Sequence, residues 1–326
     1  MGKGRPEGGL ADVRFIYDAP AAVEAEACAA TRDTAREIPL AILLMVDKSG
    51  SMAGTKWADA TSAISGFVDD PASQALKVGL TKWSGSNCSA DYSNLDVPMG
   101  LVSQNATAIK ASMAITPNGS TPTALALVGI QKFCAAYMAA NPTEKCIGVL
   151  ITDGDPMSCG PYDAATLGNI AAAALQSGVL TYTMGMAGLS GTGISVLNTV
   201  AQQGGTDCNP NTADYYCDAS TGGATAFLNA LNLIRQQAIN CEYAIPMPNG
   251  SLPDLNTIKV LFTTGAGGPG QPITKIAGAS QCGAGAYWYF DPPASPAKIV
   301  LCPDTCNAVK SDPSAGVDIE VDCKSS

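Results

Sequence analysis

The chain has 326 residues, 46% hydrophobic and 14% charged, with a formal net charge of −10. That is ample apolar material for a core and too little charge for a disordered chain. The acidity argues against nucleic acid, whose phosphates need basic patches, and against electrostatic docking on anionic membranes. There is no histidine, which removes Ser-His-Asp and Cys-His catalysis and His-ligated zinc. Twelve cysteines without a C-x-x-C pair point to disulfides and to a secreted, cell-surface or periplasmic protein.

The opening Met1-Gly2-Lys3-Gly4-Arg5-Pro6 has no apolar h-region, so no export signal is read in this sequence. Residues 1–36 read as a polar, glycine-rich extension. Val13-Arg14-Phe15-Ile16-Tyr17 is its candidate strand, expected to pack on the C-terminal part. Residues 37–240 alternate strand-like and helix-like runs. The strands are expected at 40–46, 76–83, 97–102, 146–152, 179–186 and 213–218. The helices are expected at 56–68, 106–113, 123–140, 164–176, 194–203 and 224–238, where Ala and Leu recur at three- and four-residue spacing. Runs such as Ile147-Gly148-Val149-Leu150-Ile151 are apolar throughout, as in a parallel strand covered on both faces. The alternation predicts a doubly wound, mostly parallel six-stranded α/β sheet. No apolar run approaches the ~20 residues of a membrane span.

Beyond residue 241 helical runs vanish. Ile258–Phe262, Ala286–Phe290, Lys298–Leu301 and Val317–Val321 read as strands between Gly- and Pro-rich stretches. Residues 241–326 are therefore expected to form a small, disulfide-rich all-β module. Trp288, with Tyr287, Tyr289 and Phe290, reads as its core, with sugar stacking as the alternative. Trp57 and Trp83 read as packing residues near the larger sheet.

Three segments carry oxygen ligands. Asp47-Lys48-Ser49-Gly50-Ser51 follows the apolar run 40–46. Gly119-Ser120-Thr121-Pro122-Thr123 opens a long helix. Thr152-Asp153-Gly154 ends a buried strand. In a doubly wound sheet, loops at the carboxyl ends of the strands converge and ligands bind there. Asp47, Ser49, Ser51, Thr121 and Asp153 can then meet and offer hard oxygens to a hard cation. Asp155 lies close by and receives no role.

In order and separation, these segments resemble the von Willebrand factor A (vWA) family, also called integrin-type I domains, over about residues 37–240. The likeness is greatest to secreted bacterial proteins that add a cysteine-rich C-terminal part. The resemblance implies a metal-ion-dependent adhesion site. Ser49, Ser51 and Thr121 would be its hydroxyl ligands, and Asp47 and Asp153 would bind directly or through water. Mg²⁺ is the expected ion, with Mn²⁺ or Ca²⁺ as alternatives. The implied function is adhesion or binding to a protein or extracellular-matrix ligand that presents a carboxylate. The alternative is an envelope or appendage component with the vWA domain as scaffold. No enzyme is expected: there is neither a Gly-x-Ser-x-Gly elbow nor a P-loop. With that fold, Cys88 and Cys159 fall on the metal-bearing face, Cys134 and Cys146 at the opposite pole, and Cys208 and Cys217 in one loop. Each pair is expected to be bonded. The connectivity of Cys28, Cys241, Cys282, Cys302, Cys306 and Cys323 stays open.

Overall fold

The computed structural model describes residues 31–34, 39–238, 241–247, 253–263, 269–311 and 316–321. The first strand, β1 (Thr31–Thr34), belongs to a sheet built mainly from C-terminal residues. The next six are β2 (Leu40–Asp47), β3 (Lys77–Trp83), β4 (Val97–Leu101), β5 (Lys145–Thr152), β6 (Leu180–Met186) and β7 (Cys217–Ala219). They form one sheet in the order β4-β3-β2-β5-β6-β7. It is parallel except for β4, which returns antiparallel on β3.

All eight residues of β2 are buried, because both faces of the sheet are covered. Ile42, Leu44 and Val46 pack toward α1 (Thr55–Asp69), α2 (Val102–Ser112) and α6 (Gly223–Ala238). Ala41, Leu43 and Met45 pack toward α3 (Thr123–Ala140), α4 (Ala164–Gln176) and α5 (Gly191–Gln203). The uninterrupted apolar runs of the sequence thus belong to strands with a helical layer on each side. Helix α3 has the length and apolarity of a membrane span, yet its Ala126, Leu127 and Ile130 are buried against the sheet.

Element boundaries shift by up to four residues from the sequence reading, most at α2 and β7. Val102 opens α2 rather than closing β4. The strand expected at 213–218 begins only at Cys217 and runs to Ala219. The residues before it form a loop held by Asn198, whose Oδ1 accepts from Tyr215 N at 2.7 Å, and by the Cys208–Cys217 bond.

The second sheet contains β8 (Glu242–Ala244), β9 (Lys259–Thr263), β10 (Gln271–Lys275), β11 (Tyr287–Asp291), β12 (Lys298–Leu301) and β13 (Gly316–Val321), in the order β1-β13-β9-β10-β11-β12-β8. Its ladders are antiparallel except β10–β11. Trp288 is core here: its indole N–H donates to Ile273 O at 3.1 Å, and its ring meets Phe290 edge-on at 5.1 Å. The expectation of no helix beyond 241 fails at α7 (Pro303–Ser311). This nine-residue helix has proline at its first position. It is held by Cys241–Cys306 and by Thr305 Oγ1, which accepts from Tyr287 N at 2.8 Å. Such contacts leave no trace in local periodicity.

The candidate strand at 13–17 lies outside the described residues, as do Cys28 and Cys323. Cys282–Cys302 completes five disulfides among the described residues, three of them the pairs expected above. Glu242 ties the two sheets together: it accepts from Lys145 at the start of β5 at 2.7 Å and from Lys298 of β12 at 2.8 Å.

Helix α3 approaches β5 through Gly148, where a methyl group would fall 2.2 Å from Ile130 Cγ2. Gly148→Ala is expected to destabilise the protein by about 2 kcal/mol through overpacking. Combined with Ile130→Ala, it should cost less than the sum of the single changes in thermal melts.

Candidate functional site

The parallel pairing of β2 with β5 sets Val46 beside Ile151, so both strands end at the same edge with Asp47 next to Thr152. Thr152 Oγ1 donates to Asp47 Oδ2 at 2.6 Å. Ser49 N donates to Asp47 Oδ1 at 2.7 Å, which curls the chain after β2 into a tight turn. That turn aligns the two hydroxyls: Ser49 Oγ and Ser51 Oγ lie 3.0 Å apart. Ser51 Oγ donates to Asp153 Oδ1 at 2.8 Å.

Thr121 reaches this group from the loop before α3. Gly50 N donates to Gly119 O at 3.0 Å, and Asn118 N to Lys48 O at 2.7 Å. Only glycine fits at 119: its φ is +95°, and a methyl group there would lie 3.0 Å from Gly85 N and from Ser84 Oγ. Gly154 leaves the hydroxyls room. A methyl group on it would stand 3.5 Å from Ser51 Oγ and 4.0 Å from Thr121 Oγ1. Asp47, Ser49, Thr121 and Asp153 are all buried. The five residues singled out from the sequence thus meet at one edge of the sheet.

A third loop closes the rim. Met157 N donates to Thr121 O at 3.0 Å, and Gly85 N to Ser120 O at 2.8 Å. Ser158 Oγ donates to Gly85 O at 2.8 Å. The Cys88–Cys159 bond, with Cα atoms 5.1 Å apart, joins the β3–β4 loop to the loop after β5. Asp155 turns away from this centre. It accepts from Ser190 Oγ at 2.7 Å, and Ser190 caps α5 by accepting from Thr192 N and Gly193 N.

The electrostatics are frustrated. Burial pushes the Asp47 carboxyl up from 3.8 to about 6, and the charge of Asp153 adds to the rise. The hydrogen bonds from Thr152 and Ser49 oppose it. Asp153 has a cationic partner in Lys56 of α1, a residue the motif reading passed over. Its one sequence signal is a lysine in the first turn of a helix, where the macrodipole disfavours it. Thr152 carries no sequence signal beyond the Thr-Asp-Gly motif, and its alignment with Asp47 follows from the strand pairing.

The donor set is two carboxylates and three hydroxyls, all hard oxygens, with a shortage of positive charge. Such a set fits a hard divalent cation. It is unlike a site built on three or more His, Cys, Asp or Glu side chains, of which there is none among the described residues.

The sequence profile of the von Willebrand factor type A domain matches residues 41–216, more than half of the chain. The chain belongs to the vWA family. No curated protein matches it. Among solved structures, the pilus adhesin SpaC from Lactobacillus rhamnosus GG is similar with a TM-score of 0.50 and 17% identity, over 90% of this chain and 40% of that one. Proximal thread matrix protein 1 from the mussel byssus is similar at 0.44 and 17%, over 66% and 51%. Manganese-loaded TRAP from Plasmodium vivax is similar at 0.42 and 18%, over 63% and 75%. This chain spans about half or less of the first two, and at these identities the likeness concerns the fold. The matched residues take in strands β2 to β6 and helices α1 to α5.

A carboxyl group whose value is raised by folding holds its proton more tightly in the native state. The stability it contributes is present below pH 3.8 and lost as pH rises through about 6. In EDTA at pH 8, Asp47→Asn should therefore raise metal-free stability by about 2 kcal/mol. The gain should vanish near pH 4, as measured by urea unfolding at both pH values.

Proposed function

We propose that this is an extracellular binding protein whose vWA domain holds a divalent cation through Asp47, Ser49, Ser51, Thr121 and Asp153. The carrying observation is the convergence of Asp47 and Asp153, both buried, with Asp47 shifted to about 6 among hydroxyls that cannot neutralise it. Two carboxylates and three neutral hydroxyls leave part of a divalent charge uncompensated. A bound ion would supply a Lewis-acidic position for a carboxylate from a protein or matrix partner. Mg²⁺ suits this oxygen set, and Mn²⁺ and Ca²⁺ are its competitors.

The protein's own residues do the preparatory work. Thr152 and the Ser49 N–H orient Asp47. Ser51 orients Asp153. The Cys88–Cys159 bond and the Met157–Thr121 hydrogen bond keep the three loops together, so little ordering remains when a partner arrives. We read the role as capture: the oxygens are grouped to hold a cation, and the chain lacks histidine, the commonest proton carrier. Five disulfides among the described residues support an oxidising, extracellular setting. We divide the chain into an extension at 1–36, the vWA domain at 37–240 and a cysteine-rich module at 241–326.

Calorimetric titration with Mg²⁺ or Mn²⁺ tests the site. The wild-type protein should bind one ion, and Thr121→Ala and Asp153→Ala should each weaken binding more than about tenfold. A wild-type protein that takes up no ion, or variants that bind as well as wild type, would overturn the reading.

A further inference from the structure

Helix α1 begins Thr55-Lys56-Trp57, which puts Lys56 in the first turn. A cation there opposes the positive end of the helix macrodipole and needs a nearby anion to offset it. Asp153 is that anion: Lys56 Nζ pairs with Asp153 Oδ2, with side-chain exposures of 26% and 0%. The turn between β6 and α5 shapes the far side of the seat. A methyl group on Gly188, whose φ is +101°, would fall 2.8 Å from Lys56 Nζ. Three separate segments therefore form one socket for an ammonium group against the aspartate.

The two carboxylates of the site are treated unequally. Asp47 meets neutral donors, Ser49 N and Thr152 Oγ1. Asp153 has both oxygens engaged, one by Ser51 and the other by an ammonium group. A divalent ion drawing on Asp153 must share that carboxylate with Lys56, and like charges a few ångströms apart repel. We infer that Lys56 is a built-in counter-ion: it steadies the metal-free site and lowers its affinity for the divalent cation, so that loading depends on ambient ion concentration. The inference rests on the metal site proposed above and assigns Lys56 as the positioning residue that tunes it.

The test combines Mn²⁺ calorimetry with melting temperatures in EDTA for wild type, Lys56→Met, Lys56→Gln, Lys56→Arg and Asp153→Ala. Lys56→Met and Lys56→Gln should bind Mn²⁺ about tenfold more tightly than wild type, a gain limited by the partial exposure of the ammonium. Both should melt lower without metal, because a buried carboxylate loses its counter-charge. Lys56→Arg, which keeps the charge, should retain the weaker wild-type affinity. A lysine with a merely structural role would lower the melting temperature without tightening Mn²⁺ binding. Unchanged or weaker affinity in both neutral variants therefore overturns the inference. Mn²⁺ binding that is indifferent to Asp153→Ala overturns the underlying metal site instead. If wild type takes up no Mn²⁺ and the neutral variants do, the inference about Lys56 holds and the proposal that the wild-type site is loaded falls. If none binds, both readings fall.

Discussion

The parallel ladder between β2 and β5 is the constraint on which the rest depends. From Leu40 beside Lys145 to Val46 beside Ile151, it carries two apolar strands to a common end and delivers Asp47 to Thr152. A slip of one residue would move every side chain of one strand to the opposite helical layer, where the packing no longer fits, and would pull the aspartate from its hydroxyl. The neighbouring strand reinforces the register. Trp83 of β3 donates its indole N–H to Met45 O at 3.1 Å, and its own carbonyl accepts from Lys48 N at 3.0 Å. Hydrophobic packing thus sets the placement of the polar edge, although no apolar residue takes part in its chemistry.

That edge is held against its own electrostatics. Burying two carboxylates within reach of each other is costly in a low dielectric, and the upward shift of Asp47 expresses that cost. Lys56 relieves one of the pair. The disulfide between Cys88 and Cys159 and the backbone bonds among the 84–85, 119–121 and 157–158 segments hold the loops where relaxation would otherwise move them apart. Locally unfavourable arrangements of this kind persist only where the surroundings over-determine them, and they concentrate at functional sites.

Much of this was legible in the sequence because its signals were either periodic or local. The run 40–46 is apolar at every position, so it marks a strand with two covered faces. Asp47-Lys48-Ser49-Gly50-Ser51 is one turn, readable as such. Even Cys88 and Cys159 could be matched once the fold placed their loops at the same pole. What escaped was set by contacts distant in sequence. Lys56 looks like any surface lysine until Asp153 is set beside it. Strand β10 contains Pro272 and pairs parallel with β11, and β8 has only three residues, so neither shows an alternating pattern long enough to recognise. Helix α7 draws its order from Cys241–Cys306 rather than from helix-forming residues.

The pairing of β1 with β13 has a mechanical meaning. Thr31 lies opposite Val321 and Thr34 opposite Asp318, antiparallel, so the chain enters this ladder and leaves it at the same end. Tension applied through the flanking segments would act across Thr31 and Val321 first and peel the strands apart one pair at a time. Until that ladder opens, the force runs through the second sheet and bypasses residues 40–238. A molecule tethered in this way could be tugged while the edge that carries Asp47 and Asp153 stays unloaded.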